Sequence, residues 1–117
     1  MKKPIVVCLC GSTRFGNAFR EANLRETLAG KIVLSIGCDF KSDDVLFGTG
    51  EFQKYSNSQL KELKNKLDEL HLRKIDLADE VLILNVDGYI GESTCGEVNY
   101  AINQGKVVRY LEVEDER

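Results

Sequence analysis

Four short apolar runs alternate with amphipathic segments along the chain. The runs are IVVCLC (5–10), KIVLSIG (31–37), EVLILNV (80–86) and KVVRYLEV (106–113). Each is rich in β-branched residues and almost continuously hydrophobic, which is typical of a strand buried on both faces. Apolar residues recur at helical spacing in the segments 15–28, 60–75 and 94–104, which predicts a helix after each of the first three strands.

Strands that alternate with helices predict a parallel sheet with helices on both of its faces. At 117 residues the chain is expected to form one domain, 1–117. The predicted fold is therefore a three-layer α/β/α arrangement around a flavodoxin-like or Rossmann-like sheet of four or five strands.

Two loops stand out because they follow the first and third predicted strands. They are CGSTRFG (10–16) and DGYIGESTCGE (87–97). In open parallel sheets, ligands bind beyond the carboxyl ends of the strands, at the point where the strand order reverses. If the first and third strands are neighbours, both loops converge on one site at that edge.

The connection over residues 38–58 is polar, contains glycine and lacks periodicity. A loop of this length is uncommon in a compact domain and is often functional. Its aromatic residues, Phe47, Phe52 and Tyr55, predict either a lid over the site or a contact between subunits.

The charge of the chain narrows the classes of partner. The formal net charge is −3 and the pI about 5.2, which argues against nucleic-acid binding, because that needs a basic face to replace phosphate counterions. A small phosphorylated ligand is compatible with this charge, since the backbone N–H groups at a helix N-terminus can hold one. No apolar run approaches the roughly 18–20 residues of a membrane span, so we expect no membrane association.

The amino-terminal MKKPIVVCLCG combines lysines with an apolar run, as a signal peptide does, but the run stops at Gly11 and polar residues follow. We therefore interpret it as the first strand.

The four cysteines show no CxxC pairing, and the one histidine is distant in sequence, which predicts reduced thiols, a cytoplasmic protein and no metal site. Cys8 and Cys10, two apart in a strand, are expected to point to one face as small buried residues.

The first loop matches neither of the common glycine-rich nucleotide fingerprints, but its composition suits a phosphate or ribose cradle. Gly11 permits close approach of the backbone, Ser12 and Thr13 offer hydroxyl groups, and Arg14 offers a cation. The alternative is that Ser12 or Thr13 only caps the following helix and that Arg14 is solvated.

Glu97 has two competing explanations. With Thr94 it matches the capping box [ST]xxE, in which the glutamate bonds back to the N-terminus of its own helix. Against this, Gly91 and Gly96 have no purpose in a plain helix start, and Gly96 leaves space beside the carboxylate. The helix dipole is expected to keep a first-turn glutamate ionised, which suits a nucleophile.

These features resemble the nucleoside 2-deoxyribosyltransferase-like superfamily, which includes the transferases and related nucleoside 5′-monophosphate N-glycosidases. The resemblance covers most of the chain and rests on CLCGSTRFG, on LADEVLILNV after a helix, and on the closing GEVNYAINQGKVV. In that family the glutamate of the closing motif is the catalytic nucleophile, and Glu97 stands at its position.

The resemblance implies a retaining displacement at the anomeric carbon of a nucleoside, with Glu97 forming a glycosyl ester that water or a second base resolves. Backbone N–H groups near Ser93 and Thr94, with Ser12, would hold a 5′-hydroxyl or 5′-phosphate. The implied partner is a small nucleoside or nucleotide, no cofactor is implied, and a homodimer or larger homo-oligomer is expected.

The chain departs from the family at two positions. Where the family carries an aspartate before the third strand, this sequence has His71, with Asp68 one helical turn earlier. We expect Asp68 to substitute for that aspartate only if the helix is rotated or shifted. Where the transferases place an acid for the base, this sequence has Gly91, with Glu92 adjacent.

His71, with an ordinary pKa of about 6.5, is a candidate general acid for the leaving base; the alternative is a structural role. Asp87 and Tyr89 follow the third strand and are candidates for contacts with ribose or base. For Asp87-Gly88, a simple turn is the alternative.

The sequence therefore favours an enzyme that cleaves or transfers at the N-glycosidic bond of a nucleoside or nucleoside 5′-monophosphate. Two alternatives remain open at this point. One is a nucleotide-binding sensor or regulatory domain without turnover, which the replacement of the family aspartate by His71 favours. The other is a phosphoribohydrolase that acts on a modified nucleotide.

Overall fold

The computed structural model describes residues 2–36 and 56–113. The helices and strands, in chain order, are β1 (Val6–Cys10), α1 (Gly16–Leu28), β2 (Ile32–Leu34), α2 (Asn57–Leu77), β3 (Glu80–Ile83), α3 (Glu92–Asn103) and β4 (Val107–Tyr110). A single 3-10 turn, Val86–Gly88, lies between β3 and α3. The predicted lid or subunit contact, with Phe47, Phe52 and Tyr55, lies outside the described residues.

Within the described residues the sheet has four parallel strands, in the order β2-β1-β3-β4. β1 pairs with β3 in a register that sets Val7 opposite Glu80 and Cys10 opposite Ile83. The predicted class of fold is confirmed. The first and third strands are neighbours, which was the condition for the two loops to converge, so the loops that follow β1 and β3 open at the same edge of the sheet.

Alternate residues of β1 and β3 face opposite sides of the sheet, so the apolar strands present two apolar faces. Helices cover both of these faces. One face packs against α1, in a core of Val7, Leu9, Phe19, Ala22, Leu82 and Leu84. The other packs against α2 and α3, in a core of Cys8, Cys10, Ile75, Ala78, Val81, Ile83, Val98 and Ala101. The layers are thus α/β/α, and Cys8 and Cys10 share one buried face as predicted.

The boundaries of the helices differ from the sequence prediction at two starts. α2 begins before the first leucine of its apolar pattern, because Ser56 and Gln59 form a capping box at its N-terminus. α3 begins at Glu92 instead of 94, with Gly91 as its N-cap. The strands are shorter than the apolar runs, and β2 keeps only three residues. No helix within the described ranges is long and apolar enough to cross a membrane.

A network of partly buried charges, centred on the buried Glu26, ties α1 to the sheet near the amino ends of β2 and β3. Glu26 of α1 is only 5% exposed, and it pairs with Lys31 and Arg109. Lys31 Nζ lies 2.7 Å and Arg109 2.8 Å from Glu80 Oε1. Burial acts to raise the pKa of Glu26, but the hydrogen bonds and charges of Arg109 and Lys31 outweigh it, so that this pKa is lowered.

We expect Glu26→Gln to destabilise the fold in a pH-dependent way. A carboxyl group whose folded-state pKa is lowered stabilises the protein above its unfolded pKa, here about 4.5, and this contribution is lost as pH falls through the folded-state pKa. The variant should therefore be less stable at pH 7 by about 1.5–3 kcal/mol, and the difference should shrink below pH 4.5. Urea unfolding between pH 7 and pH 3 measures both.

Glu21→Gln, on the exposed side of the same helix, is the matched control and should unfold like the wild type across this range. A loss of stability in Glu26→Gln that stays constant with pH would contradict the assigned role of the carboxylate.

Candidate functional site

A cavity of about 290 Å³ opens at the carboxyl ends of β1 and β3. Its walls come from the loop after β1, from one face of α2, and from the loop and first turns of α3. The lining residues are Gly11, Ser12, Thr13, Ile36, Lys64, Leu67, Asp68, His71, Tyr89, Gly91, Glu92, Ser93, Thr94 and Glu97. The two loops that the sequence singled out therefore do share one cavity.

All but two of the predicted site residues line this cavity, the exceptions being Arg14 and Asp87. The Arg14 guanidinium stacks over the ring of Tyr89, 4.6 Å from its centroid. Asp87 adopts a left-handed conformation (φ 55°) in the 3-10 turn, and its backbone N–H donates to Glu112 Oε2 over 2.8 Å. This turn is the alternative considered for Asp87-Gly88, and it sets Asp87 outside the cavity wall.

The loop after β1 can lie close to β3 because Gly11 has no side chain. A Cβ atom at this position would lie 3.1 Å from Leu84 Cβ and 3.4 Å from the Leu84 carbonyl oxygen. The Ser12 hydroxyl accepts a hydrogen bond from the Arg14 N–H over 3.3 Å. The N-cap residue of α1 is Phe15, whose side chain makes no capping hydrogen bond, so neither Ser12 nor Thr13 is the N-cap residue that the alternative required.

Glu97 does not cap its helix. Because α3 begins at Glu92 and its N-cap residue Gly91 provides no side chain, Thr94 already lies within the helix and Glu97 in its second turn. The capping box predicted from Thr94 and Glu97 is therefore wrong. Gly96 also lies outside the cavity wall, and a Cβ atom there would meet no other atom within 4 Å. The carboxylate is left available to the cavity.

The pKa of Glu97 is raised, chiefly because the side chain is removed from water, while the charge of His71 acts in the opposite direction. The helix dipole was the expected source of an ionised carboxylate, but the position of Glu97 in the helix does not support that source. The dipole acts on groups in the first turn, and Glu97 lies beyond it with a side chain only 15% exposed. The pairing with His71 is what favours its ionised form.

His71 is buried below Glu97, with 5% of its surface exposed. Its Nε2 atom lies 3.7 Å from Glu97 Oε1, 3.2 Å from Cys10 Sγ and 3.8 Å from Cys8 Sγ. Its Nδ1 atom is buried and has no hydrogen-bond partner among residues 2–36 and 56–113. Because thiols and carboxylate approach the same nitrogen, the group is not a Cys-His-acid triad, which uses both ring nitrogens.

The charges in this cluster depend on one another. Burial lowers the pKa of His71, but its hydrogen bond with Cys8 and the negative charges of Cys8 and Glu97 outweigh burial, so that this pKa is raised. The pKa of Cys8 falls to about 6, through its hydrogen bond with Cys10 and the proximity of His71. The pKa of Cys10 is raised by the same hydrogen bond and by burial. Each of these pKa shifts therefore depends on the charges of the neighbouring groups.

The sequence analysis missed part of the α2 wall, namely Lys64, Leu67 and the position of Asp68. These residues recur with His71 at helical spacing, so they lie on one face of α2, and Lys64 Nζ pairs with Asp68 Oδ2 over 3.7 Å. The helix needs no rotation to bring Asp68 to the cavity, contrary to expectation. The same spacing in the sequence contains this signal, but mixed charges at helical spacing are also typical of a solvated helix face.

The prediction of no metal site assumed that His71 is distant from the cysteines. His71 is distant from Cys8 and Cys10 in sequence but not in the fold. In the fold, α2 packs on the face of β1 that carries Cys8 and Cys10, so these three side chains bring their ligand atoms within 4.8 Å of one another.

Comparison with known proteins identifies the fold. No family model and no curated protein sequence match this chain. Among solved structures, it is similar to the 2-deoxyribosyltransferase from the psychrotolerant bacterium Bacillus psychrosaccharolyticus, with a TM-score of 0.56 and 17% sequence identity, over 94% of this chain and 77% of that one. The chain thus has a nucleoside 2-deoxyribosyltransferase-like fold, as the resemblance implied.

We expect Gly11→Ala to destabilise the protein by about 1–3 kcal/mol, because the added methyl group must displace Leu84 in the core. Gly96→Ala is the matched control. Its methyl group meets open space inside a helix, so it should stabilise the protein by up to about 1 kcal/mol. Urea unfolding of both variants measures the two changes, and equal effects of the two substitutions would contradict the close packing of Gly11.

Proposed function

We propose that this protein cleaves or transfers at the N-glycosidic bond of a nucleoside or nucleoside 5′-monophosphate, with Glu97 as the nucleophile. The observation that carries the proposal is the Glu97 carboxylate, which lines the cavity and takes no part in capping its helix. The fold is shared with a 2-deoxyribosyltransferase, which supports the same chemistry.

The reaction has two displacements. A carboxylate oxygen of Glu97 attacks C1′ while the bond from C1′ to the base nitrogen breaks, and the base leaves with the bonding electrons and takes up a proton. The resulting glycosyl ester is then attacked at C1′ by water or by a second base, which frees Glu97. Two inversions at C1′ give net retention, as in retaining glycosidases.

The surroundings of Glu97 suit this role. A carboxylate that is poorly hydrated loses little solvation when it attacks, and its contact with His71 favours the ionised form that the attack requires. In an in-line displacement the base leaves from the face of the sugar opposite to the nucleophile. His71 Nε2, at 3.7 Å from Glu97 Oε1, is therefore on the side of the nucleophile. We assign His71 to positioning and charge compensation of Glu97 instead of protonation of the base.

The 5′ end of the sugar is assigned to the start of α3. The N-cap residue Gly91 offers no side chain, so the first-turn N–H groups of Glu92 and Ser93 have no side-chain cap. Ser12 and Thr13 line the same cavity from the loop after β1. Backbone N–H groups at a helix N-terminus bind a phosphate or hydroxyl oxygen well.

A second candidate function is a nucleotide-binding sensor without turnover. The observation that favours it is His71, which stands where the related enzymes carry an aspartate and which contacts buried thiols. Under this alternative the cavity binds the same ligands and Glu97 contributes to affinity alone.

We expect Glu97→Gln to abolish release of free base. Wild type and variant are incubated with ribo- and deoxyribonucleosides and their 5′-monophosphates, with and without an acceptor base, and free base is measured by chromatography. The loss of the nucleophile should lower the rate by about 10³-fold or more. Glu69→Gln, on the exposed face of α2, is the control and should keep wild-type activity.

Turnover that survives in Glu97→Gln would contradict the assignment of the nucleophile. No turnover in the wild type, together with a nucleotide-dependent rise in its melting temperature, would establish the sensor instead.

His71→Gln should lower kcat by about 10- to 100-fold, the equivalent of one charged contact, and leave KM within a few-fold of the wild type. The measurement is a series of nucleosides whose bases differ in leaving-group pKa. A positioning residue predicts the same loss for every base, because the defect lies in the nucleophile. A loss that grows with the basicity of the leaving group would make His71 the general acid.

A further inference from the structure

Three side chains converge on one nitrogen atom of His71. Cys10 Sγ, Glu97 Oε1 and Cys8 Sγ lie 3.2, 3.7 and 3.8 Å from Nε2. A neutral imidazole nitrogen forms a single hydrogen bond, as donor or as acceptor. Hydrogen bonding to Nε2 therefore accounts for one of the three contacts. The thiols and the carboxylate also bond among themselves, since Cys10 forms hydrogen bonds with Cys8 and with Glu97, so the four groups form one compact cluster.

The distances match those between ligands of one metal ion. Zn²⁺ binds sulfur at about 2.3 Å and nitrogen or oxygen at about 2.0–2.2 Å, so in a tetrahedral site its ligand atoms lie about 3.4–3.8 Å apart. The contacts of Nε2 with Cys10, Glu97 and Cys8 span 3.2–3.8 Å. The ligand atoms of Cys8, Cys10 and His71 lie within 4.8 Å of one another. Glu97 lies outside that group of three, so its carboxylate must turn toward the thiols before it can complete a tetrahedral site.

The donors are held in place before any ion binds. Cys8 and Cys10 occupy successive positions on one face of β1 and are 0% exposed, and His71 is 5% exposed in the same core. A set of two thiolates, an imidazole and a carboxylate in tetrahedral array is typical of Zn²⁺ and does not suit Mg²⁺ or Ca²⁺, which prefer oxygen ligands alone.

We propose that Cys8, Cys10 and His71 bind one Zn²⁺ ion, with the Glu97 carboxylate as the fourth ligand. Thiols that are protonated before binding release their protons to solvent as the ion enters, and His71 ligates through Nε2 in its neutral form. Any proton on Nε2 is released to solvent in the same step, and the positive charge of the ion then lies among its anionic ligands.

One consequence rests on the proposed function. The carboxylate of Glu97 cannot ligate the ion and attack C1′ at the same time, so Zn²⁺ and glycosyl transfer exclude each other. The ion would act as a reversible inhibitor at the nucleophile, beneath the substrate cavity instead of within it.

Co²⁺ is the probe for the test, because its absorption reports both thiolate ligation and tetrahedral geometry. The titration uses a Cys38→Ser/Cys95→Ser background, so that Cys8 and Cys10 are the only thiols. We expect one Co²⁺ per chain, a thiolate-to-cobalt charge-transfer band, the strong visible bands of a tetrahedral site, and displacement of Co²⁺ by Zn²⁺. Absence of a charge-transfer band, or the weak spectrum of six-coordinate Co²⁺, would overturn the proposal.

Variants in this background identify the ligands. Cys10→Ser should reduce the charge-transfer intensity by about half and weaken Co²⁺ binding by more than about 100-fold, since even residues behind the ligands contribute 10- to 100-fold. Glu97→Gln should keep the charge-transfer band but change the visible bands. An unchanged spectrum in both variants would refute the assigned ligands. Circular dichroism establishes that each variant is folded, and if Cys10→Ser is unfolded, the spectrum of the background protein and that of Glu97→Gln decide.

The inhibition is tested separately, with free base as the readout. If Co²⁺ shows the expected spectrum and the enzyme turns over, Zn²⁺ should inhibit it with the affinity found by displacement, and chelation should restore activity. Turnover that is unaffected by saturating Zn²⁺ would overturn the role of Glu97 as fourth ligand. A protein without turnover would refute the proposed function alone, because the cobalt spectrum does not depend on activity.

Discussion

The parallel pairing of β1 with β3 is the constraint on which the site depends. Both strands are apolar on both faces, so they are stable only inside a sheet with helices on each side. Their register sets Cys10 opposite Ile83, and the Leu84 N–H extends the ladder by donating to the Cys10 carbonyl over 2.8 Å. The chain then leaves both strands at one edge, and Gly11 lets the first loop lie directly against Leu84.

The contact between α2 and α3 determines how close His71 and Glu97 lie to each other in the site. The Tyr100 hydroxyl of α3 donates to Asp76 Oδ1 over 2.6 Å and accepts from Arg73 over 3.0 Å, both on α2. Lys106, just beyond α3, donates to the Asp76 carbonyl oxygen over 3.0 Å. These bonds lie about one helical turn from His71 and Glu97 on their respective helices. These hydrogen bonds hold α2 and α3 together, and so they keep His71 of α2 next to Glu97 of α3.

The sequence predicted the fold and the place of the site well, because both depend on local patterns. Apolar runs identify strands, and glycine and hydroxyl residues after two of them mark the ligand edge. The environment of Glu97 was not predictable in this way. The capping role predicted for Glu97 depended on a helix that begins at residue 94, whereas α3 begins at Glu92. Glu92 and Ser93 are acceptable in a first helical turn, so the sequence did not exclude the earlier start. The cluster of Cys8, Cys10 and His71 depends on the packing of α2 against β1, which no spacing in the sequence encodes.

The side chains around His71 Nε2 have a common requirement, which is a cation at their centre. The charges of Cys8 and Glu97 raise the pKa of His71, and the pKa of Cys8 falls beside the ring. Cys8, Cys10 and His71 are buried and the Glu97 side chain is only 15% exposed, so an unpaired charge among them is costly. A proton on His71 meets the requirement and leaves a Glu97 oxygen free to face the cavity. A metal ion meets it more fully, because it bonds every group at once, but it takes up the carboxylate. The same desolvation that makes Glu97 a suitable nucleophile therefore also makes it a suitable ligand, and the identity of the cation decides which role it has.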